Sequence, residues 1–406
     1  MEYLMPNGYK TILDTDDSCP DIDLLFRLKD FKKVDAIIKS FCQQSNYKIV
    51  QCYYQDVYAK NFFLYNEETQ QFLNLDIYGK LLGKHITFFN EGEIFPASET
   101  YEGIPILKPY QEFAYYLVKR IDKAKISQTQ FEHLKTLFDQ NTQKCLEHIK
   151  LYMSTDVSFI KTAFEQNNYE ILNANLEGLA KDIIRNRKLG LGEKVKNQFR
   201  VFKRILQPTG FSIAFLGPDG SGKSTIINGV TQGELPFRRV DYFHLKPFPT
   251  KHGMASKTVS DPHALPPYSA LKSYLKLGVF FVQYNYGWIK NIIKLKIKSS
   301  LVIFDRYYDD MIVDNKRYRY GGHVGMAKLV RWFIPKPNLY VILTAAPEII
   351  HKRKQEVTLD ELTRQVKAYK GLADGKRYIS IDVSQTPETI VKQVINETMR
   401  KRYAAY

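Results

Sequence analysis

The nine residues GPDGSGKST (217–225) follow directly on the apolar run FSIAFL and open a helical pattern. Gly217, Gly222, Lys223 and Ser224 stand in a G-x-x-x-x-G-K-[ST] frame, which constrains this chain more than any other feature. Each residue type has a physical reason to be there. Glycines accept positive φ and let backbone N–H groups curl around a phosphate, a lysine reaches the β- and γ-oxygens, and a serine hydroxyl ligates Mg²⁺. Asp219, Gly220, Ser221 and Thr225 complete the loop, and the helix beginning near Lys223 adds its positive N-terminal dipole. A turn of this make needs a strand before it and a helix after it, so it predicts an open, doubly wound α/β sheet with nucleotide phosphates at its C-terminal edge.

The rest of the C-terminal half agrees. FSIAFLG, LVIFD, LYVILTA and YISIDV are continuous apolar runs separated by helical stretches. That is the pattern of parallel strands buried on both faces, and it defines a domain over residues 206–406. Upstream the pattern changes twice. Residues 1–108 read as a small α/β unit with strands at DIDLLF, YKIVQCYY, NFFLYN and FLNLDIYG and a helix over 29–46. Residues 109–205 read as a helical region ending in the basic connector KDIIRNRKLGLGEKVKNQFRVFKR, and Pro208 and Gly210 mark the boundary after it.

Charge follows the same division. The 406 residues carry 59 Lys+Arg against 43 Asp+Glu, a formal charge of +16. Residues 1–100 hold 10 basic against 15 acidic side chains, whereas residues 201–406 hold 33 against 16. An asymmetry of this kind suggests that one domain handles anions and the other does not; a uniform coat would suggest nonspecific nucleic-acid binding. Hydrophobic residues make up 44% and aromatics 14%, which excludes wholesale disorder. The N-terminus MEYLMPNGYK lacks a basic segment followed by an apolar one, and no stretch nears about 18 uninterrupted apolar residues. A cytoplasmic protein with no transmembrane segment is expected. Cys19, Cys42, Cys52 and Cys145 show no C-x-x-C pairing, so reduced thiols are expected in place of zinc or disulfides.

Three further features narrow the chemistry. LVIFD ends at Asp305, a carboxylate placed to hold a Mg²⁺ shell or polarise an acceptor, and Arg306 follows at once. The run DRYYDD therefore sets Arg306, Tyr307, Asp309 and Asp310 at the edge where ligands of open α/β sheets bind, as an acceptor site. HKRKQE (351–356) places Lys352, Arg353 and Lys354 where a mobile lid would close over a transferring phosphoryl group, or on a solvated helix face. The guanine-reading N-K-x-D string is absent, since Asn315-Lys316-Arg317-Tyr318 lacks its aspartate, which argues against a GTPase.

GPDGSGKST, DRYYDD, TAAPEIIHKRKQE and the IDVSQTPETI junction resemble, in order and spacing, the thymidylate kinase family of P-loop nucleoside monophosphate kinases, over about residues 211–400. The resemblance implies ATP and Mg²⁺ as the cofactors, Lys223, Asp305, Arg306 and Arg353 as catalytic residues, and Ser224 with Asp305 at the metal. It implies that Asp219 contacts an acceptor sugar hydroxyl, Arg306 grips the acceptor phosphate, Arg353 is the lid arginine, and Asp382 and Ser384 border the adenine. A homodimer is compatible with it. The chain departs from the family in its length, in Asp309-Asp310 where a serine is usual, in the insertion-like 242–273, and in VDNKRYRYGGH (313–323) with Arg317 and Arg319. Those departures are similar to the thymidylate-kinase-like proteins found beside bacterial surface-polysaccharide genes, and they leave dTMP, a different phosphorylated nucleoside and a sugar open as the acceptor.

In the N-terminal part, DIDLLF puts Asp21 and Asp23 on one face of a strand, and FLNLDIYG offers Asp76 on another. Paired carboxylates with a third on a second strand suit two-metal nucleotidyl transfer. The pattern resembles minimal polymerase-β-type nucleotidyltransferase domains, although Asp17-Ser18-Cys19-Pro20 stands where those carry a Gly-Ser turn. Three readings stay open: solvated carboxylates, a noncatalytic nucleotidyltransferase-like module, and an active transferase. LKSYLKLGVFFVQYNYGWIKNIIKLKIKSS (271–300) is apolar and basic, which suits helices covering the sheet better than a membrane-surface helix. His244, His252, His263 and His323 fall near the acceptor region without metal-ligand spacing.

The expected function is Mg²⁺-dependent transfer of the ATP γ-phosphoryl group to a nucleoside monophosphate or related small phosphorylated acceptor. One alternative is a bifunctional sugar-activating enzyme joining nucleotidyl transfer to the kinase. The other is a nucleotide-gated regulatory protein, against which the acceptor-like DRYYDD speaks. No specific nucleic-acid partner is expected.

Overall fold

The computed structural model describes residues 2–9, 21–83, 87–89, 91–95, 99–154, 156–187, 190–233, 235–249 and 265–403. Residues Asp17–Pro20, His252, His263 and the middle of the insertion-like 242–273 lie outside the described residues. The chain forms two compact units, Met1–Lys203 and Arg204–Tyr406.

In the first unit, strands β1 (Tyr3–Leu4), β2 (Asp21–Phe26), β3 (Tyr47–Asp56), β4 (Ala59–Asn66) and β5 (Gln71–Tyr78) form a sheet in the order β1-β2-β5-β4-β3. The β2–β5 pair is parallel and the others are antiparallel. The single helix expected over 29–46 is divided into a short turn at Leu28–Phe31 and α1 (Val34–Gln44), because the Lys33 amide closes back on the Asp30 carbonyl. A short hairpin of β6 (Glu99–Tyr101) and β7 (Ile104–Ile106) leads to the helices α2 (Pro109–Asp122), α3 (Gln128–Gln140), α4 (Thr142–Ile149), α5 (Ser158–Glu165) and α6 (Tyr169–Arg187). Pro109 opens α2, where its missing N–H is not needed, and Ser127 with Gln130 forms a capping box at α3. Phe113, Phe131, Phe138 and Phe164 from these helices share one core with Leu4 and Leu25 of the sheet. Sheet and helices therefore fold as one body. α7 (Leu191–Leu206) buries none of its residues.

The second unit holds β8 (Phe211–Leu216), β9 (Arg239–His244), β10 (Ser300–Asp305), β11 (Leu339–Thr344) and β12 (Tyr378–Asp382) in the order β12-β11-β8-β10-β9, all parallel. Every residue of β8, β10 and β11 is buried, as continuous apolar runs require. Alternate side chains serve opposite faces. Phe211, Ile213 and Phe215 join a core closed by α8 (Lys223–Gln232), α12 (Pro347–Arg353), α13 (Leu359–Lys370) and α14 (Pro387–Tyr403). Ala214 and Leu216 join the other, closed by α9 (Ala270–Gly287), α10 (Tyr308–Val313) and α11 (Val324–Trp332). α9 covers the sheet through Leu277, Phe280 and Tyr284, and runs on through a π-turn at Trp288–Ile292 into Ile293–Ile297.

The connections leaving β8 and β11 depart toward opposite edges of the sheet. Their adjacent C-terminal ends therefore open a crevice, the place where ligands of this architecture bind.

Candidate functional site

The loop after β8 is shaped by three glycines with positive φ: Gly217 at 142°, Gly220 at 83° and Gly222 at 78°. At Gly217 a Cβ would come within 2.3 Å of the Leu343 carbonyl oxygen of β11, so only glycine fits. Gly222 supplies the left-handed residue before α8.

Lys223 starts that helix and folds back beneath the loop. Its Nζ donates to the carbonyls of Gly217 and Pro218, each at 2.8 Å. Burial, then the neighbouring Arg306 charge, lowers its pKa to about 8. Ser224 and Thr225 lie exposed on the first turn of α8.

Arg306 follows β10 directly, with φ at 68°, a left-handed backbone uncommon for arginine. Its N–H donates to the Phe215 carbonyl at 3.0 Å, which ties the turn to β8. The guanidinium is buried between two carboxylates: Nη1 donates to Asp310 Oδ2 at 2.6 Å and Nη2 to Asp219 Oδ1 at 2.5 Å. Asp219 Oδ2 accepts from Arg317 Nη1. Burial alone would raise the Asp219 pKa, but Arg306, Lys223 and Arg317 outweigh it and hold the carboxyl well below its usual range. Two guanidiniums and an ammonium thus converge on one loop carboxylate.

Asp305 is also buried. Its Oδ2 accepts from the Tyr242 hydroxyl at 3.1 Å, and His244 Nδ1 lies 3.8 Å away, whereas Oδ1 is buried with no hydrogen-bond partner. Burial pushes its pKa up, but the His244 contact and the charges of Lys223 and Arg306 bring it net below the ordinary value. A buried carboxylate oxygen without a donor fits a cation better than it fits an apolar void. Among the described residues no group of three or more His, Cys, Asp or Glu side chains is arranged to hold a metal ion. Nucleotide-borne Mg²⁺ needs only one or two protein oxygens.

The DRYYDD run divides. Arg306 faces the loop, but Tyr307 is fully buried and its hydroxyl donates to the Pro335 carbonyl, so it packs the core. Asp309 lies 2.5 Å from Arg331 Nε and accepts from the Tyr378 hydroxyl, away from the loop; burial raises its pKa. Asp310 accepts from Arg306 and from the hydroxyls of Tyr318, at 2.8 Å, and Tyr369, so it anchors Arg306. Both carboxylates were expected at an acceptor; burial and these partners make them supports. Their acidity is visible in the sequence but their burial is not.

On the other side of the crevice, Arg353 Nη2 donates to the Val383 carbonyl at 2.9 Å, which brings the end of α12 to the turn after β12. There the Ser384 amide donates to Asp382 Oδ1 at 2.8 Å, and both side chains are exposed. The segment touches the loop as well, since a Cβ on Gly220 would meet Lys354 Cβ at 3.0 Å.

Tyr242 was not among the expected site residues, and Arg317 and His244 were given no role there beyond lying near the acceptor region. Arg317 gave its signal in the extra basic segment 313–323. Tyr242 and His244 gave theirs in the i, i+2 alternation of β9, where His244 registers with Asp305.

In the first unit, β2 and β5 set Asp21 opposite Asn74 and Asp23 opposite Asp76. Asp76 accepts from Gln55, Asn61 and Tyr78, and Asp23 from Tyr78 at 3.2 Å. Burial, with Asp76 and Asp23 adding repulsion, raises Asp21 to about 6. Burial also raises Asp23, against the Lys119 charge.

No family model matches the chain, and no curated protein matches it. Among solved structures, the thymidylate kinase of Candida albicans is similar to it at 19% identity, over 48% of this chain and 95% of that one, with a TM-score of 0.36.

Proposed function

We propose that the unit Arg204–Tyr406 transfers the γ-phosphoryl group of ATP to a small phosphorylated acceptor of the nucleoside monophosphate type. The observation that carries this reading is Asp219, a carboxylate inside the phosphate loop, bound by both Arg306 and Arg317. A loop that only grips a nucleotide has no use for a carboxylate clamped by two arginines. A phosphoryl transferase does, because the arginines meet the acceptor phosphate while the carboxylate meets an acceptor hydroxyl.

Lys223 would exchange its two carbonyl partners for β- and γ-phosphate oxygens. Ser224 and Asp305 would hold Mg²⁺, which supplies charge to the phosphates when bound. Asp310 keeps Arg306 in place, so the guanidinium is oriented before substrate arrives. Arg353, at the end of α12, is the candidate to approach the transferring group, and Asp382 and Ser384 to border the base.

Following ADP formation with Mg·ATP and a panel of nucleoside monophosphates and sugar phosphates tests the reading. Lys223→Ala and Arg306→Ala are each expected to lower kcat/KM by about a hundredfold or more, the first through ATP and the second through the acceptor. Unchanged acceptor KM and turnover in Arg306→Ala would remove Arg306 from the acceptor site.

A second reading, nucleotidyl transfer by the first unit, is favoured by the register that sets Asp23 beside Asp76 with Asp21 on the same strand face. Pyrophosphate release from an NTP and a sugar phosphate, lost in Asp21→Ala and Asp23→Ala, supports it; no release across the panel leaves that unit structural.

A further inference from the structure

α9 lies on the sheet by one side and turns a second apolar stripe away from it. Leu271, Leu275, Val279, Val282, Tyr286 and Ile289 recur every three or four residues on that outer side, with Leu271 72% and Leu275 66% exposed. At 1.5 Å per residue the stripe is roughly 27 Å long. α11 runs alongside: the His323 amide donates to the Tyr274 hydroxyl at 3.3 Å, and Asn285 Nδ2 to the Phe333 carbonyl at 3.2 Å. It adds Met326, Leu329, Trp332 and Phe333, with Trp332 77% exposed. A continuous apolar face of this extent marks a surface made to be covered.

Charge narrows what covers it. No carboxylate occurs in 265–304 or in 315–347, while Lys272, Lys290, Lys294, Lys328 and Lys336 are exposed on and around the two helices. Behind Trp332 opens a cleft of about 640 Å³ walled by Lys328, Arg331, Lys336, Lys376, Arg377 and Lys401. Its single carboxylate, Asp374, already accepts from the backbone amides of Lys376, Arg377 and Tyr378. In a two-fold contact with a second copy the same lysines would meet one another with no carboxylate to answer them. An anionic lipid surface answers both properties: acyl chains take the leucines and valines, headgroup phosphates take the lysines, and Trp332 and Tyr286 suit the interface between them.

We propose that the face formed by α9 and α11 docks on an anionic bilayer, in its plane and without crossing it. Among the described residues no helix is long and apolar enough to cross.

Sedimentation of the full chain with phosphatidylcholine vesicles, with and without about a quarter phosphatidylglycerol, tests this. Pelleting is expected with the anionic vesicles and little with the neutral ones, falling several-fold as salt rises from about 0.1 to 0.5 M. Leu275→Ser/Val282→Ser and Trp332→Ser are each expected to weaken partition about tenfold or more, with thermal midpoint and ADP formation unchanged. Lys290→Glu/Lys294→Glu, which removes no buried side chain, is expected to weaken it comparably and makes the test independent of apolar packing. Absence of pelleting, pelleting that these variants leave unchanged, or a solution dimer that dissolves in the same variants overturns the proposal.

Discussion

Lys223 is an ammonium held where burial and the Arg306 charge both work to deprotonate it, with a pKa of about 8. Two measurable consequences follow from the sign. In the free protein the charge that meets ATP is lost as pH rises through about 8, so kcat/KM for ATP is expected to fall above that pH, while kcat, which reports the complex, falls at higher pH because bound phosphates restore the proton. A flat kcat/KM from pH 7 to 9.5 would show that Lys223 meets no phosphate. The second consequence is for stability. A lysine whose folded pKa lies below its unfolded value costs stability below the folded pKa, and the cost shrinks as pH rises from about 8 to 10.5. Lys223→Met is therefore expected to raise the stability of the nucleotide-free unit by about 1–3 kcal/mol at neutral pH and to abolish ATP binding, a trade read by thermal unfolding and nucleotide titration. The charge of Asp310 is answered by Arg306, Tyr318 and Tyr369, so Asp310→Asn is expected to cost about 3 kcal/mol and to raise acceptor KM by freeing Arg306.

At the scale of elements, the loop after β8 keeps its shape because β8 and β11 lie so close at their C-terminal ends that only glycine fits between them. Gly217→Ala would drive a Cβ to within 2.3 Å of the Leu343 carbonyl in a backbone conformation that side chains rarely adopt. The variant is expected to lose nucleotide binding by titration while the circular dichroism of the sheet persists. Wild-type affinity in Gly217→Ala would mean that the loop is not the nucleotide site. The loop and the buried strands were legible in the sequence because each leaves a local signature: glycines at fixed offsets, and unbroken apolar runs. β9 was less so, since an edge strand reading RVDYFH is half exposed and has no unbroken apolar run, yet it carries Tyr242 and His244 to Asp305. The carboxylates of DRYYDD were misleading for a related reason. Asp309 and Asp310 are as acidic in the sequence as any ligand, and only the three-dimensional packing of Arg331, Tyr378, Arg306, Tyr318 and Tyr369 around them makes them supports. In the first unit, period-two alternation did place Asp21 and Asp23 on one face, but the pairing with Asp76 is a nonlocal register.

At the scale of the whole molecule, the division at Lys203 and Arg204 separates the carboxylates Asp21, Asp23 and Asp76 from the loop 217–225 and the arginines around it. The segments 1–100 and 201–406 differ in charge sign, and on the proposed reading each sign matches its own ligand. Two units with separate cores are expected to give two transitions by scanning calorimetry. Mg·ATP at about a hundred times its Kd would stabilise the unit that binds it by about 2.7 kcal/mol, which in a unit near 200 residues raises its midpoint by about 5–10 °C. Only one transition is expected to move, and in Lys223→Ala neither. On the nucleotidyl-transfer reading, Mn²⁺ without nucleotide is expected to raise the other transition, because a divalent ion favours the charged form of Asp21, which burial and then the Asp76 and Asp23 charges disfavour, lifting it to about 6; Asp76→Asn is expected to blunt that shift. If Mg·ATP moved both transitions in the wild type, nucleotide would bind in each unit, and the kinase reading could no longer be confined to residues 204–406.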